Sequence, residues 1–192
     1  MLLILETWND FALNREVRHE TNITALFHRA LVNAYEADNR KWFVTLEDPI
    51  NDPNYGTELG RNDLRFYPPK HYRQTVFFTV ECKRLRVMRQ GGTVQLADKY
   101  VDDGIQRFVD DQYSAGLPCG GMLGYVMDNN MWEAFKAVES VIHLKRVKLK
   151  IPSRGICKPS KVLPEYEWSA DTQHRRGRDT FKIHHALLAV VK

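Results

Sequence analysis

The stretch "FFTVECKRL", residues 77–85, decides how this chain folds. Alternate residues of an extended chain point to opposite faces. Val76, Phe78, Val80 and Cys82 therefore share one face, and Thr79, Glu81 and Lys83 the other. The first face is ordinary core. The second carries an acid and a base with Cβ atoms about 7 Å apart, close enough to act on one ion or one water. Such a pair has two explanations: it guards an exposed sheet edge, or it stands on a central strand and does chemistry. The apolar flanks favour the central strand.

Upstream, "NDLRFY" (62–67) sets Leu64 and Phe66 on one face and Asp63 and Arg65 on the other, before Pro68-Pro69 stops it. If this strand and 77–85 form a hairpin, the carboxylates of Asp63 and Glu81 reach a common point. "KWFVTLED" (41–48) reads as a further strand, closed by the turn-rich "PINDPNYG". Before it, apolar residues at 23, 26, 27, 30, 31, 34 and 35 predict a long helix starting between Asn14 and Thr21 and ending near Asn39. Glu20 falls on the apolar stripe of this helix. Either it complements the dipole in the first turn, or it looks toward the other acids.

Downstream, "ADKYVDDGIQRFVDDQYSAG" (97–116) predicts a helix with Val101, Ile105, Phe108 and Val109 inward, ended by Gly116 and Pro118. The uncharged "GGMLGYVM" (120–127) reads as a central strand. Asn129 or Asn130 can cap a third helix bearing Met131, Phe135, Val138 and Ile142. "RVKLKI" (146–151) alternates as a half-exposed strand, and "TFKIHHALLAVV" predicts the last strand. With no repeat or linker in view, residues 1–192 read as one α/β domain.

Composition narrows the partners. The chain of 192 residues, 43% hydrophobic and 27% charged, is long enough to bury roughly 70% of its unfolded surface. No apolar run approaches a membrane span, and "MLLIL" is too short and lacks the basic leader of a signal peptide. Cys82, Cys119 and Cys157 are odd in number and widely spaced, which argues against disulfides and zinc and for a reducing cytoplasm. The net charge of +4 is modest, but "KRLRVMR" (83–89), "HLKRVKLK" (143–150) and "HRRGR" (174–178) concentrate it. Such clusters suit a polyanion such as nucleic acid, or are solvated surface.

Two carboxylates, a backbone carbonyl and waters make an oxygen-only site suited to Mg²⁺. A lysine beside it can orient or deprotonate the attacking water, and positive charge nearby is expected to lower the Lys83 pKa for that purpose. Phosphodiester hydrolysis needs these parts and no protein nucleophile.

At this point the sequence resembles the PD-(D/E)XK nuclease superfamily, the restriction-endonuclease-like fold. Asp63 in "RNDLRFY" matches its first acid, Glu81-Cys82-Lys83 its E-x-K, and Glu20 the further acid that many members carry on the preceding helix. "YVDDGIQRFV" resembles the helix after the E-x-K strand, from which Gln106 or Arg107 would face the site. The resemblance covers about residues 15–127 as an αβββαβ core with a central mixed sheet flanked by helices; residues 128–192 add a helix and strands. Asn62 stands where the proline of the family name would be. The resemblance implies a Mg²⁺-dependent endonuclease, with Mn²⁺ able to substitute. Asp63, Glu81, the Cys82 backbone carbonyl and Glu20 would hold the metal, and Lys83 would position the water. It implies DNA as substrate, with RNA the alternative, and restriction or phage defence as the setting. A homodimer or a partner subunit of a defence complex would be its assembly. The rival is a binding subunit that keeps the fold without turnover.

Other candidates read as structure. Cys82 points to the core and is expected to be inert. His184 and His185 point to opposite faces, with one of them expected to be buried. "GGMLGYV" lacks the pattern that binds dinucleotide phosphates. Asp102, Asp103, Asp110 and Asp111 read as a solvated helix face. "EYEWSADTQHRRGRD" (165–179) reads as a surface loop or a stacking segment for nucleic acid.

Overall fold

In a computed structural model that describes every residue except 15, 38–42, 52–54, 69–75, 153–155 and 191–192, strand β3 (Phe78–Leu85) lies inside its sheet, not at an edge. The element order is α1 (Leu2–Asp10), α2 (Glu20–Ala37), β1 (Phe43–Asn51), β2 (Glu58–Tyr67), β3, and a small ribbon of β4 (Val87–Arg89) and β5 (Gly92–Val94). A helical rod follows, made of α3 (Ala97–Tyr100), a π-helical turn (Val101–Ile105) and α4 (Gln106–Val109). Then come β6 (Cys119–Val126), α5 (Met131–Leu144), β7 (Lys158–Pro159), β8 (Ser169–Arg176) and β9 (Asp179–Ala189). The seven strands of the main sheet run β1-β2-β3-β6-β9-β8-β7. β3, β6 and β9 are parallel neighbours, and the outer pairs are antiparallel, so the sheet is mixed.

Both faces are covered. Leu64, Val80, Cys82, Leu123 and Tyr125 pack against Ile4, Trp8, Phe27 and Leu31 of α1 and α2. On the other face, Leu85, Met122, Val126 and Ile183 meet Tyr100, Ile105 and Phe108 of the rod and Val138 and Ile142 of α5. A strand at the centre of a doubly covered parallel sheet has no solvent face, which is why β6 carries no charge and is buried from Gly120 to Val126. Truncating a residue such as Phe27, fully buried between α2 and the sheet, is expected to cost about 3–5 kcal/mol.

The expected helix over α2 is present, and its expected end near Asn39 lies outside the described residues. β1 runs on through Pro49 to Asn51, where a turn was expected from Pro49. As an edge strand, β1 can carry a proline because one side of its ladder has no partner to supply. The third helix starts as expected, with the Asn130 side chain accepting the Glu133 N–H. Three readings are corrected. The rod ends at Val109 rather than near Gly116, and residues 110–116 turn with Asp111 and Ser114 in the left-handed region (φ 64° and 54°). Residues 146–151 form turns, not a strand: the Leu149 and Ile151 N–H groups bond back to the Lys145 and Arg146 carbonyls. The stretch 169–176 is a strand, β8, paired along its length with β9. α1 and the β4–β5 ribbon had no counterpart in the sequence reading. No helix among the described residues is long and apolar enough to cross a membrane.

Candidate active site

β2 and β3 pair from Phe66–Phe78 to Leu64–Val80, and the ladder stops there. At the next position the Asp63 carboxylate replaces the backbone partner and accepts the Cys82 N–H at 2.6 Å. Asp63 is thereby held on the same face as Glu81, beside it. Lys83 comes up from the next inward position of β3. Its Nζ lies 2.7 Å from Glu81 Oε1, 3.0 Å from the Cys82 carbonyl, 3.3 Å from Glu20 Oε1 and 4.0 Å from Asp63 Oδ2. Glu20, the first residue of α2, also accepts the Arg84 N–H at 2.7 Å through Oε2, so the helix start is tied to the end of β3. The four residues the sequence singled out meet at one point.

The rod closes the other side. Arg107 Nη1 reaches Glu81 Oε1 at 3.4 Å and donates to the Tyr113 hydroxyl, which in turn donates to the Arg61 carbonyl at 2.7 Å. Gln106 turns away to Asp110 at 2.8 Å, so of the two candidates on α4 only Arg107 enters the site. The π-helical turn packs on β6 and β3 through Gly104, where a Cβ would sit 2.5 Å from Met122 Cε and 3.7 Å from Lys83 Cγ, so a side chain there would require the end of Met122 to move. Single π-helical turns recur at functional sites because the extra residue re-aims the side chains after it. Tyr113 and the π-helical turn escaped the sequence reading; Tyr113 lay in what read as the tail of a helix, and only its burial identifies it.

The electrostatics follow from burial. Glu81 is 1% exposed, and its Oε2 has no hydrogen-bond partner among the described residues. Burial, then repulsion from Asp63, pushes its carboxyl up to about 8, against the pull of Lys83 and Arg107. Asp63 is also raised by burial, with the nearby Lys83 opposing, and the Glu81 carboxyl lies within its hydrogen-bonding reach. For Lys83, burial lowers the pKa, but the carboxylates of Glu81, Asp63 and Glu20 together outweigh it and raise the ammonium above its ordinary range. The acids that face Lys83 favour its charged form; the lowering expected from nearby positive charge would need a cation among them.

A buried carboxyl with one orphaned oxygen beside a second carboxyl has two ways to be satisfied: a proton between them or a cation. The donor set fits a hard divalent ion, since its free groups are carboxylate oxygens and a quarter of the Asp63 side chain remains open to solvent. Among the described residues no three His, Cys, Asp or Glu side chains stand as a ready-made cage, and the Cys82 carbonyl is already engaged by Lys83. Lys83 supplies the balancing charge in this arrangement.

The remaining candidates separate from the site. Cys82 is fully buried with its thiol pushed well up by burial, as an inert core residue requires. Both His184 and His185 are buried, not one of them: His184 pairs with Asp171 and His185 with Tyr100 and Thr172. The segment 174–178 divides: Arg175 and Arg178 are exposed, and His174 and Arg176 turn inward. His174 is buried, and Arg176 donates to the carbonyls of Phe108, Tyr113 and Ser114. The segment 143–150 is largely neutralised, because Lys145 and Lys148 pair with Asp98 and Asp102. Asp102 is therefore half of an ion-pair cluster, not a free acid on a solvated face.

The fold and the cluster define an α/β protein with acids and a lysine gathered where an inner strand parts from its neighbour. Compared with known proteins, the chain matches no family model, no curated protein and no solved structure.

Proposed function

We propose that this chain is a metal-dependent endonuclease of the PD-(D/E)XK type, acting on DNA. The observation that carries the reading is the orphaned Glu81 Oε2, held dry beside Asp63 with Lys83 at 2.7 Å from the other oxygen. The order of elements from α2 to β6, helix, three strands, helix, strand once the inserted β4–β5 ribbon is set aside, supports the restriction-endonuclease-like core. Asp63 and Glu81 would hold Mg²⁺ or Mn²⁺, with Glu20 assisting. The ion would supply Lewis-acid polarisation of the phosphoryl oxygen. Lys83 donates from Nζ to orient the attacking water. Three carboxylates surround its ammonium, which favours the charged, donating form. Arg107, 40% exposed on its outer side, offers donors to a phosphate oxygen. Restriction or phage defence is the proposed setting.

The test is incubation of the purified protein with plasmid, linear DNA and RNA in Mg²⁺, Mn²⁺ or EDTA. Cleavage of DNA with either ion and none in EDTA is the expected result. RNA cleavage alone would move the reading to RNA processing. Nucleic-acid binding without cleavage under any condition would leave a binding subunit.

A further inference from the structure

The β4–β5 ribbon belongs to neither core. Its strands pair only with each other, through Val87–Val94, Met88–Thr93 and Arg89–Gly92, and every residue from 88 to 95 is exposed. Its base is nevertheless fixed. Arg86, in the left-handed region at φ 53°, turns the chain out of β3, and its side chain pairs with Asp128 at 2.9 Å, both largely buried. Leu85 and Met127 hold the same joint by a backbone hydrogen bond of 3.0 Å. At the tip the two-residue loop Gln90-Gly91 is made possible by Gly91 at φ 101°. The stretch 82–97 contains Lys83, Arg84, Arg86 and Arg89 and no acid. A two-stranded arm with a fixed base and an exposed arginine, Arg89, thus leaves the site only a few residues after Lys83.

We propose that this ribbon docks in the major groove of double-stranded DNA, with Arg89 and Gln90 at base edges; the inference rests on the nuclease reading above and names its substrate. Two strands spaced about 4.8 Å, with side chains on either side, fit a major groove about 12 Å wide and overfill a minor groove of about 6 Å. The major groove of duplex RNA is too narrow and deep to admit it. Arginine and glutamine at the tip are the side chains that make paired hydrogen bonds to guanine and adenine edges. Val94, 36% exposed and on the same face of the ribbon as Arg89, supplies an apolar contact of the kind that thymine methyl groups take. Arg89 lies six residues beyond Lys83, a reach of at most about 20 Å along an extended chain, so site and ribbon can engage one duplex together.

The experiment measures affinity by fluorescence anisotropy, with Ca²⁺ in place of Mg²⁺, for a duplex, the corresponding single strand, and the duplex with 7-deazaguanine for guanine. Wild type is compared with the Arg89→Ala/Gln90→Ala double variant, both sites being exposed and outside the cores. The variant is expected to bind the duplex about 10- to 100-fold more weakly and the single strand equally well. The 7-deaza duplex should weaken wild type but not the variant. Equal affinity of both proteins for the duplex, or an equal loss on the single strand, while wild type still cuts DNA, overturns the ribbon's role and leaves the nuclease reading standing. A ribbon that instead mediates capture of a protein would give the first of these results. A wild type that neither binds nor cuts any nucleic acid overturns both.

Discussion

One row of the sheet runs Glu81, Met122, His185 across three parallel strands, and the two polar residues on either side of Met122 are satisfied on opposite terms. His185 bonds Tyr100 through Nδ1 at 3.0 Å and Thr172 through Nε2 at 2.8 Å. Thr172 meets His174 at 2.7 Å, and His174 ends the chain on the Leu149 carbonyl at 2.8 Å. Every ring nitrogen in that chain has a partner. Glu81, about 10 Å away by strand spacing, has an oxygen with none. A complete buried network locks one arrangement of the core, whereas an incomplete one raises the free energy of the unliganded protein until something binds. The histidine chain is structure; the carboxylate pair, in the proposed reading, is where the metal would bind.

The largest expected effects separate the two by activity. Lys83→Ala, Asp63→Ala and Glu81→Gln should each lower cleavage by roughly 10²- to 10³-fold or more, measured on plasmid at a temperature where each variant remains folded. Titration calorimetry then divides them. Asp63→Ala and Glu81→Gln lose Mg²⁺ binding, and Lys83→Ala keeps it. Three variants as active as wild type would break the comparison, leaving both clusters structural.

The converse substitution is His185→Leu. It strands the Tyr100 hydroxyl and one side of Thr172 in the core, so a loss of about 2–4 kcal/mol in denaturant unfolding is expected. The fraction still folded at low temperature should cleave at near the wild-type rate. If it were inactive while fully folded, the histidine chain would belong to the site.

Acidity sharpens the contrast with opposite signs. Burial depresses His185 to about 3 and His174 to about 4, below the ordinary 6.5. The unfolded chain then binds protons that the fold refuses. This stability is complete above pH 6.5 and falls toward pH 4, by about 1.4 kcal/mol per pH unit per histidine at the steepest. Glu81, raised from 4.5 to about 8, behaves the other way. The fold keeps a proton that the unfolded chain has lost, so its contribution is complete below pH 4.5 and lost as pH rises to about 8. Between pH 6.5 and 8 in EDTA, wild type should lose melting temperature. Glu81→Gln should not, and Mg²⁺ should remove the decline in wild type. Superimposable melting profiles for the two proteins would sink this account of Glu81.

What the sequence disclosed tracks how local the cause is. β3 and α2 announce themselves because their burial follows period 2 and period 3.6 within one segment, and that same periodicity aligned Asp63, Glu81, Lys83 and Glu20 on one point. β8 gives no strand signal because its inward residues Thr172 and His174 are polar, and their partners, His185 and the Leu149 carbonyl, lie elsewhere in the chain. Residues 146–151 alternate like a strand, yet Val147 is 82% exposed while Leu149 and Ile151 are buried by turns that return to 145 and 146. α1 is short and has no side-chain cap, so tertiary contacts sustain it: it packs on α2, and Trp8 stacks on Tyr125 and donates to the Ala189 carbonyl. The charge of Lys83 depends on how many acids converge on it, a property of the assembled site.

The smallest expected effect tests the rim that sequence reasoning missed. The Tyr113 hydroxyl takes a hydrogen bond from Arg107 and gives one to the Arg61 carbonyl, joining the rod to β2 across the mouth of the site. Its ring packs edge-on against Phe108 at 5.4 Å and lies 5.5 Å from the Arg107 guanidinium. Tyr113→Phe keeps those ring contacts and removes only the hydroxyl. Of its two hydrogen bonds the one from the Arg107 guanidinium bears on the site, so cleavage should fall about 2- to 10-fold, and loss of both should lower stability by about 1–3 kcal/mol. If the hydroxyl acts by steadying Arg107, Arg107→Ala should lower cleavage at least as far, and the double variant no further than Arg107→Ala alone. Losses that multiply in the double variant would mean that Tyr113 acts on the site independently of Arg107. The rim would then be a second set of contacts to the substrate rather than a support for the first.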